Sequence, residues 1–207
     1  MKIAIDGPAG SGKSTVARLL AEKLKFKHID TGAYYRWVTY NVLSKGVPLT
    51  DEAGIVRAAA ETDFTGIDER KIRTLEVSGN VSLVSAIPGV RGCVAAKQRA
   101  AGEKYDVVME GRDIGSVVFP DAELKIFLTA SADERARRRY QELLEKGGRV
   151  DLEEIKKNIA NRDHLDSTRR ASPLTRVADA VEVDTTGLTI EQVVARISKI
   201  YQERLKQ

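Results

Sequence analysis

Residues 7–15, GPAGSGKST, combine glycine, lysine and hydroxyl side chains at a spacing that binds phosphate. The pattern Gly-x-x-x-x-Gly-Lys-Ser places Gly12, Lys13 and Ser14 at its end. Glycines let the backbone turn tightly, so that successive N–H groups face a phosphate at a helix N-terminus. The lysine contacts the β- and γ-phosphates, and the serine hydroxyl ligates Mg²⁺. The residues expected to contact a nucleoside triphosphate are Gly7, Pro8, Ala9, Gly10, Ser11, Gly12, Lys13, Ser14 and Thr15.

The rest of the chain lacks the signatures of two large classes of phosphate-loop protein. A GTPase reads guanine with Asn-Lys-x-Asp, and the nearest string, EKYD at 103–106, lacks the Asn. A transporter-type ATPase is larger and carries a Ser-Gly-Gly-Gln-like segment, which does not occur. The chain has only 2 His but many arginines, which favours an acceptor that is itself a phosphate. Such an acceptor needs its charge neutralised rather than a general base.

The arginine run RARRR at 135–139 has a less specific interpretation. We expect surface side chains in weak ion pairs, with one of the arginines a candidate for facing ATP.

Short apolar segments alternate with helical patterns, which predicts an α/β fold with a parallel sheet and crossover helices. After the phosphate loop, Val16, Leu20 and Leu24 share one helical face, and Thr189 with Gln192 forms a capping box before the last helix. The five predicted strands are KIAID (2–6), KHID (27–30), DVVME (106–110), LKIFLT (124–129) and AVEVDT (180–185).

Two segments between these elements are interpreted as flaps. The charged stretch 131–170, with a hinge at Gly147–Gly148, predicts two helices that form a mobile lid, although an ordinary solvated hairpin fits the composition equally well. Within 46–75, KGVPLTDEAG predicts a turn into a capped helix and DFTGIDERK predicts a loop, which leaves room for a second flap.

Composition limits the class of protein. The 207 residues are 42% hydrophobic, enough for a core, and the net charge is +4. That charge fits an ordinary soluble protein, while a polyanionic partner or a phosphorylated substrate remains an alternative. The single cysteine, Cys93, excludes an intrachain disulfide and is interpreted as a small core residue. No signal peptide and no apolar run of about 18 residues is present, so we expect a cytoplasmic protein without membrane contact.

Strings spread over most of the chain resemble the bacterial cytidylate kinases, phosphate-loop enzymes that make CDP from CMP and ATP. Among nucleoside monophosphate kinases, GRDIGSVVFPDA together with DTGAYYR is specific to that family. The other matching strings are IDGPAGSGKSTVA, IRTLEV, RDHLDSTR and DTTGLTIEQVV. The resemblance implies one P-loop kinase domain with five parallel strands. Its implied parts are a core of 1–30, 96–130 and 171–207, a monophosphate-binding flap of about 31–95, and a lid of about 131–170.

The resemblance also implies which flap residues bind CMP. Thr31 and Arg36 contact the CMP phosphate, while Ser82 and Arg91 reach the cytosine. Tyr34 departs from the family pattern, as do Trp37 and Leu165, and DFTGIDERKIRT is shorter than in many members. We therefore expect a reduced flap, which leaves open the relative preference for CMP, dCMP and UMP. Tyr34 and Trp37 are expected near the CMP phosphate or on an outward helix face.

Outside the flap, the resemblance implies that Arg112 holds phosphate and that Asp113 accepts a hydrogen bond from the cytosine amino group. This assignment is chemically sound, because uracil would present an acceptor to the carboxylate instead. An ion pair to Arg112, or a turn cap, is the alternative role of Asp113. Arg162, Asp166 and Arg169 bring lid charge to the phosphates and the CMP sugar. The implied catalytic set is Lys13, Arg112, Arg162 and Arg169.

The predicted reaction converts ATP and CMP or dCMP into ADP and CDP or dCDP, with Mg²⁺ as cofactor and Ser14 as its protein ligand. A kinase for another monophosphate is the nearest alternative. A nucleic-acid binder is a further one, but aromatic residues are 5% of the chain and do not alternate with the basic run, so no stacking platform is expected. We expect a monomer with small-molecule partners, and neither nucleic acid nor membrane among them.

Overall fold

The computed structural model describes residues 1–145, 147 and 150–206. The chain forms two compact units: Met1–Ile29 with Tyr105–Gln207, and Asp30–Lys104. We call them the first and the second unit. Half of the predicted Gly147–Gly148 hinge, Gly148, lies outside the described residues.

Five strands, within the described ranges, form one sheet in the order β2-β3-β1-β4-β5. β1 pairs in parallel with β3 and β4, and β4 pairs in parallel with β5. The predicted five-stranded parallel sheet is confirmed, with shifts of one residue at the bounds of the third and fifth strands. The strands are β1 (Lys2–Asp6), β2 (Lys27–Asp30), β3 (Val107–Gly111), β4 (Leu124–Thr129) and β5 (Val181–Asp184).

Helices connect the strands, and one π-helical turn, Ile114–Val118, follows β3. The α-helices of the described residues are α1 (Lys13–Leu24), α2 (Thr31–Ser44), α3 (Glu52–Glu61), α4 (Glu69–Ile72), α5 (Leu75–Ala86), α6 (Pro88–Lys104), α7 (Ala132–Glu145), α8 (Leu152–Thr168) and α9 (Ile190–Arg204). No helix among them is long and apolar enough to cross a membrane.

The core of the first unit lies where α1 and α9 pack on the sheet. Val16 and Leu20 of α1 and Val193 of α9 are buried in one cluster with the strand residues. The capping box of α9 is confirmed, because the Thr189 hydroxyl accepts from the Gln192 amide and the Gln192 side chain accepts from the Thr189 amide. These contacts fix the start of α9, which follows the carboxyl end of β5.

The second unit consists of α2 to α6 together with Asp30, the last residue of β2. α3 begins after the N-cap Asp51, whose side chain accepts from the Gly54 amide, so the predicted capped helix is confirmed. The predicted loop DFTGIDERK is wrong at its end, because Asp68 caps the short helix α4 by accepting from the Arg70 amide. Cys93 is partly buried against the apolar cluster of this unit.

The aromatic residues that depart from the family pattern hold the short segment before α4. The Tyr34 ring stacks on Phe64 with centroids 4.7 Å apart. The Trp37 indole N–H donates to the Asp63 carbonyl at 2.7 Å, and its ring stacks on Tyr40. Both side chains are half-buried.

Candidate active site

The phosphate loop connects β1 to α1 and depends on glycine backbone geometry. Gly7, Gly10 and Gly12 have φ angles of 152°, 77° and 91°, which L side chains rarely adopt. A Cβ on Gly7 would lie 1.9 Å from the carbonyl oxygen of Leu128 in β4. The loop therefore needs glycine at this position for both conformation and space.

Lys13 is buried at the start of α1, and its ammonium group bonds to the loop. Its Nζ donates to the Pro8 carbonyl at 2.6 Å and to Ser11 Oγ at 3.3 Å. Burial lowers the pKa of Lys13 well below its usual value, and the charge of Arg112 adds to this effect. Glu110 and Asp6 act in the opposite direction, which places the lysine in a dense group of charges.

Ser14 contacts a buried carboxylate that lies 96 residues along the chain. Its hydroxyl donates to Glu110 Oε2 at 2.8 Å, and His28 Nε2 lies 3.3 Å from Glu110 Oε1. Glu110 is in β3, adjacent to β1, so the sheet register brings it beside the loop. A serine hydroxyl next to a carboxylate is an oxygen donor set that suits Mg²⁺.

The end of β1 is linked to the π-helical turn through Asp6. Its Oδ1 accepts from the Ile114 amide at 2.8 Å, and its Oδ2 accepts from the Gly115 amide at 2.7 Å. Burial raises the pKa of Asp6 to about 6, although both amides lower it. The turn begins directly after Arg112 and Asp113, so Asp6 fixes the backbone that carries them.

Four of the residues implied to bind CMP form one ion-pair network in the first unit. Arg112 Nε donates to Asp166 Oδ2 at 2.7 Å. Arg169 lies 3.7 Å from Asp166 and 3.8 Å from Asp113, measured between guanidinium nitrogens and carboxylate oxygens. The carboxylates thus hold two guanidinium groups together, and Asp113 is largely buried among them. Arg162 lies in α8 together with Asp166, and its side chain is exposed.

The arginine run of α7 divides into two kinds of residue. Arg137 and Arg139 are exposed and pair with glutamates three residues away, as a solvated face predicts. Arg135 is buried and Arg138 is partly buried, and both contact backbone near the phosphate loop. Arg135 donates to the Ala9 carbonyl, and Arg138 donates to Thr185, whose hydroxyl donates to the Ser11 carbonyl. The expectation of surface ion pairs is therefore wrong for Arg135.

In the second unit, the predicted CMP-binding residues lie along α2, α5 and α6. Thr31 is buried at the first position of α2, which Asp30 caps. Arg36 Nη1 donates to Ser78 Oγ at 3.0 Å. Ser82 lies one turn after Ser78 and is exposed.

Arg91 of α6 reaches the same helix α5 from another side. Its Nη1 donates to the Ser85 carbonyl at 3.2 Å, and its guanidinium carbon lies 5.1 Å from the Tyr35 ring centroid. Ser85 follows Ser82 by three residues, and its hydroxyl donates to the Ser82 carbonyl at 3.3 Å. α5 thus presents a row of serines whose ends contact Arg36 and Arg91.

Sequence reasoning missed several residues that surround the predicted ones. Asp6 and Glu110 stand at the carboxyl ends of adjacent predicted strands, a position that is a usable signal for a site in a parallel sheet. Asp163 and Thr185 stand in the quoted strings RDHLDSTR and DTTGLTIEQVV, but nothing in those strings identifies their partners, which lie far along the chain. The missed residues are Asp6, His28, Glu110, Arg135, Asp163 and Thr185.

A metal ion at this site would need ligands from the nucleotide as well. No group of three or more His, Cys, Asp or Glu suited to a metal occurs among the described residues. Ser14 and Glu110 fit Mg²⁺ as oxygen donors, and Mg²⁺ is usually held by one or two protein groups together with substrate phosphates. The residues present are thus consistent with a magnesium–nucleotide complex.

Comparison with known proteins gives a family over nearly the whole chain. A family model described as cytidylate kinase matches residues 3–203. The chain is 53% identical over 214 positions to a cytidylate kinase of Carboxydothermus hydrogenoformans, covering 97% of this chain and 96% of that one. It is 50% identical over 216 positions to a cytidylate kinase of Caldanaerobacter subterraneus, covering 100% and 96%. The resemblance noted in the sequence is confirmed.

Solved structures share the fold at much lower identity. An uncharacterized protein from Eubacterium ventriosum is 15% identical with a TM-score of 0.59, covering 98% of each chain. A second protein, TT1252 from Thermus thermophilus, is 17% identical with a TM-score of 0.52, covering 99% of this chain and 97% of that one. At such identities the likeness concerns the fold alone.

Proposed function

The chain belongs to the cytidylate kinase family, and we propose that it transfers the γ-phosphoryl group of ATP to CMP or dCMP. The products are ADP and CDP or dCDP. The observation that supports this best is the network of Arg112, Asp113, Asp166 and Arg169. Arg112 and Asp113 follow β3 directly, and β3 is paired with the strand that leads into the phosphate loop. Cationic groups for an anionic acceptor thus lie at the sheet edge that also carries the donor-binding loop.

In the donor half, the backbone N–H groups of residues 7–15, apart from Pro8, bind the phosphates of ATP. Lys13 stabilises the negative charge that develops on the transferring group, because a buried ammonium interacts strongly with it. Bound together with ATP, Mg²⁺ neutralises charge on the phosphates. Ser14 is the proposed protein ligand, and Glu110 orients the Ser14 hydroxyl.

In the acceptor half, Arg112, Arg162 and Arg169 neutralise the phosphates that approach each other. The attacking phosphate oxygen of CMP is already anionic, so no general base is required. Asp166 positions Arg112 and Arg169 and contacts the CMP sugar. Asp113 accepts a hydrogen bond from the cytosine amino group. Because Asp113 is largely buried, a base that presents an acceptor there instead would bind at a high cost.

The remaining residues proposed to bind CMP belong to the second unit. Thr31 and Arg36 bind the CMP phosphate, while Ser82 and Arg91 bind the cytosine. Arg91 is buried and held on the Tyr35 ring, which limits its rotamers and prepares it for a specific contact. The proposal also includes a monomeric cytoplasmic enzyme that does not bind nucleic acid.

A coupled assay of ADP release with CMP, dCMP, UMP and AMP tests the proposed function. We expect kcat/KM for CMP or dCMP to exceed that for UMP and AMP by at least about tenfold, because one polar mismatch costs this much or more. Faster phosphorylation of AMP or UMP would refute the base assignment. Salt-sensitive binding of RNA without any kinase activity would refute the function as a whole.

A further inference from the structure

Arg135 joins the phosphate loop to the start of α7. Its Nε donates to the Ala130 carbonyl at 3.0 Å, and its Nη1 donates to the Ala9 carbonyl at 3.1 Å. The residue is 6% exposed. In a trans peptide the C=O of Ala9 and the N–H of Gly10 point in opposite directions. The guanidinium therefore fixes the direction of one amide that is expected to contact the triphosphate.

The same guanidinium also holds α8. Its Nη1 and Nη2 donate to Asp163 Oδ1 and Oδ2 at 3.0 and 2.7 Å, a bidentate pair. Asp163 and Asp166 are three residues apart and therefore lie on one face of α8. Asp163 contacts Arg135, and Asp166 contacts Arg112. The helix is thus held at two points one turn apart, on the loop side and on the β3 side.

Close packing between the loop and α7 reinforces this connection. A Cβ on Gly10 would lie 3.0 Å from Arg135 Cβ and 3.2 Å from the Arg135 carbonyl oxygen. The two backbones therefore touch without an intervening side chain. Arg139, on the exposed face of the same helix, has no such role, since it pairs with Glu142 at the surface.

We propose that Arg135 and Asp163 are positioning residues that couple the phosphate loop to α8, so that ATP on the loop and CMP at the α8 residues strengthen each other's binding. The inference rests on the proposed function, because Arg162 and Asp166 lie in α8 and Arg169 follows it directly. A shift of the Ala9 peptide on nucleotide binding moves the Arg135 guanidinium. Through Asp163, that movement sets the position of the α8 side chains that bind phosphate.

Titration of a non-hydrolysable ATP analogue, with and without saturating CMP, tests the coupling in Asp163→Asn. In the wild type we expect CMP to tighten analogue binding about fivefold or more. In Asp163→Asn the analogue alone should bind within about twofold of wild type, while the tightening falls below about twofold. We expect kcat with CMP to fall about tenfold or more, since misplaced phosphate-binding groups cost rate.

Glu142→Gln is the matched control, because it removes the carboxylate of the exposed Arg139 pair on α7, the helix that carries Arg135. It should keep the tightening and the kcat. Arg135→Lys is a second variant that retains the charge, yet one ammonium group cannot reach Ala9, Ala130 and Asp163 together. An intermediate loss of tightening is expected for it, with a folded circular dichroism spectrum.

Several results would overturn the inference. Unchanged tightening in folded Asp163→Asn would show that the ion pair is only structural, as would a lower melting temperature without any kinetic change. An equal loss of tightening in Glu142→Gln would attribute the effect to the removal of a negative charge in general, rather than to the pair of Arg135 and Asp163. A wild type that phosphorylates CMP but shows no tightening would refute the coupling alone. Failure to phosphorylate CMP would refute the proposed function, and the monophosphate that is phosphorylated would then replace CMP in the titration.

Discussion

The carboxylate of Asp6 accepts a hydrogen bond from the amide of Gly115 at 2.7 Å, across 109 residues of sequence. It accepts a second from the Ile114 amide, so both carboxylate oxygens are used. This contact joins the strand before the phosphate loop to the turn after Arg112 and Asp113. The donor and acceptor halves of the proposed site in the first unit therefore share one buried support.

The stability of the protein should depend on pH through Asp6. Its pKa is about 6 in the folded state, mainly through burial, against an ordinary 3.8. The folded state thus binds the proton more tightly than the unfolded state does. The resulting contribution to the free energy of unfolding is complete below about pH 4 and is lost as the pH rises through 6, a change of about 3 kcal/mol. Urea melts between pH 4.5 and 7.5 should show wild type losing stability with pH relative to Asp6→Asn.

Equal pH slopes for wild type and Asp6→Asn would contradict this prediction. Asp121→Asn is a control with the opposite sign. The Lys2 ammonium lowers the pKa of Asp121, so its contribution to stability is present at neutral pH and is lost on acidification.

Gly7→Ala should abolish ATP binding or prevent folding. The Cβ would meet the Leu128 carbonyl oxygen at 1.9 Å, and the φ of 152° is already unfavourable for alanine. We expect loss of ATP binding in a fluorescent-nucleotide titration, or a melting temperature lower by about 5 °C or more. Gly46→Ala is the control, since its φ of 65° also lies in the left-handed region but its Cβ would meet nothing within 4 Å. Comparable effects in both variants would attribute the loss to backbone strain rather than to the contact with Leu128.

Glu110→Gln should weaken the response to Mg²⁺. The amide cannot accept from both Ser14 and His28 as the carboxylate does, so the Ser14 hydroxyl loses its orientation. Loss of such a supporting contact costs about 10–100-fold in metal affinity or activity. The Mg²⁺ concentration for half-maximal activity should rise accordingly in a titration at saturating ATP and CMP. Glu22→Gln, in an exposed pair with Arg18, should leave it unchanged.

Asp113→Asn should relax the choice between CMP and UMP. An asparagine side chain can donate to the uracil O4, whereas the aspartate accepts only. The ratio of kcat/KM for CMP over UMP should fall by about tenfold or more. A ratio that stays constant would place base recognition elsewhere, and loss of both activities together would indicate that Asp113 mainly orients Arg169.

The local sequence pattern was sufficient to predict the strands of the sheet. The five strands were predicted within one residue of their bounds, since each is short and is followed by small or polar residues. The phosphate loop and the capping box of α9 are also contiguous in sequence, so their geometry follows from a few neighbouring residues. The π-helical turn at Ile114–Val118 was not predicted, because Asp6, which lies over 100 residues away, binds its amides.

The sequence by itself determined the fold class, the donor loop and the family, because these are written in local periodicity and in contiguous strings. Only the tertiary structure decided which charges face each other. Ser14 meets Glu110 across 96 residues, and Arg135 meets Ala9 across 126. The physical reason is that a buried polar group needs a hydrogen-bonding partner, and in a parallel sheet that partner comes from a neighbouring strand or a crossover helix rather than from adjacent sequence.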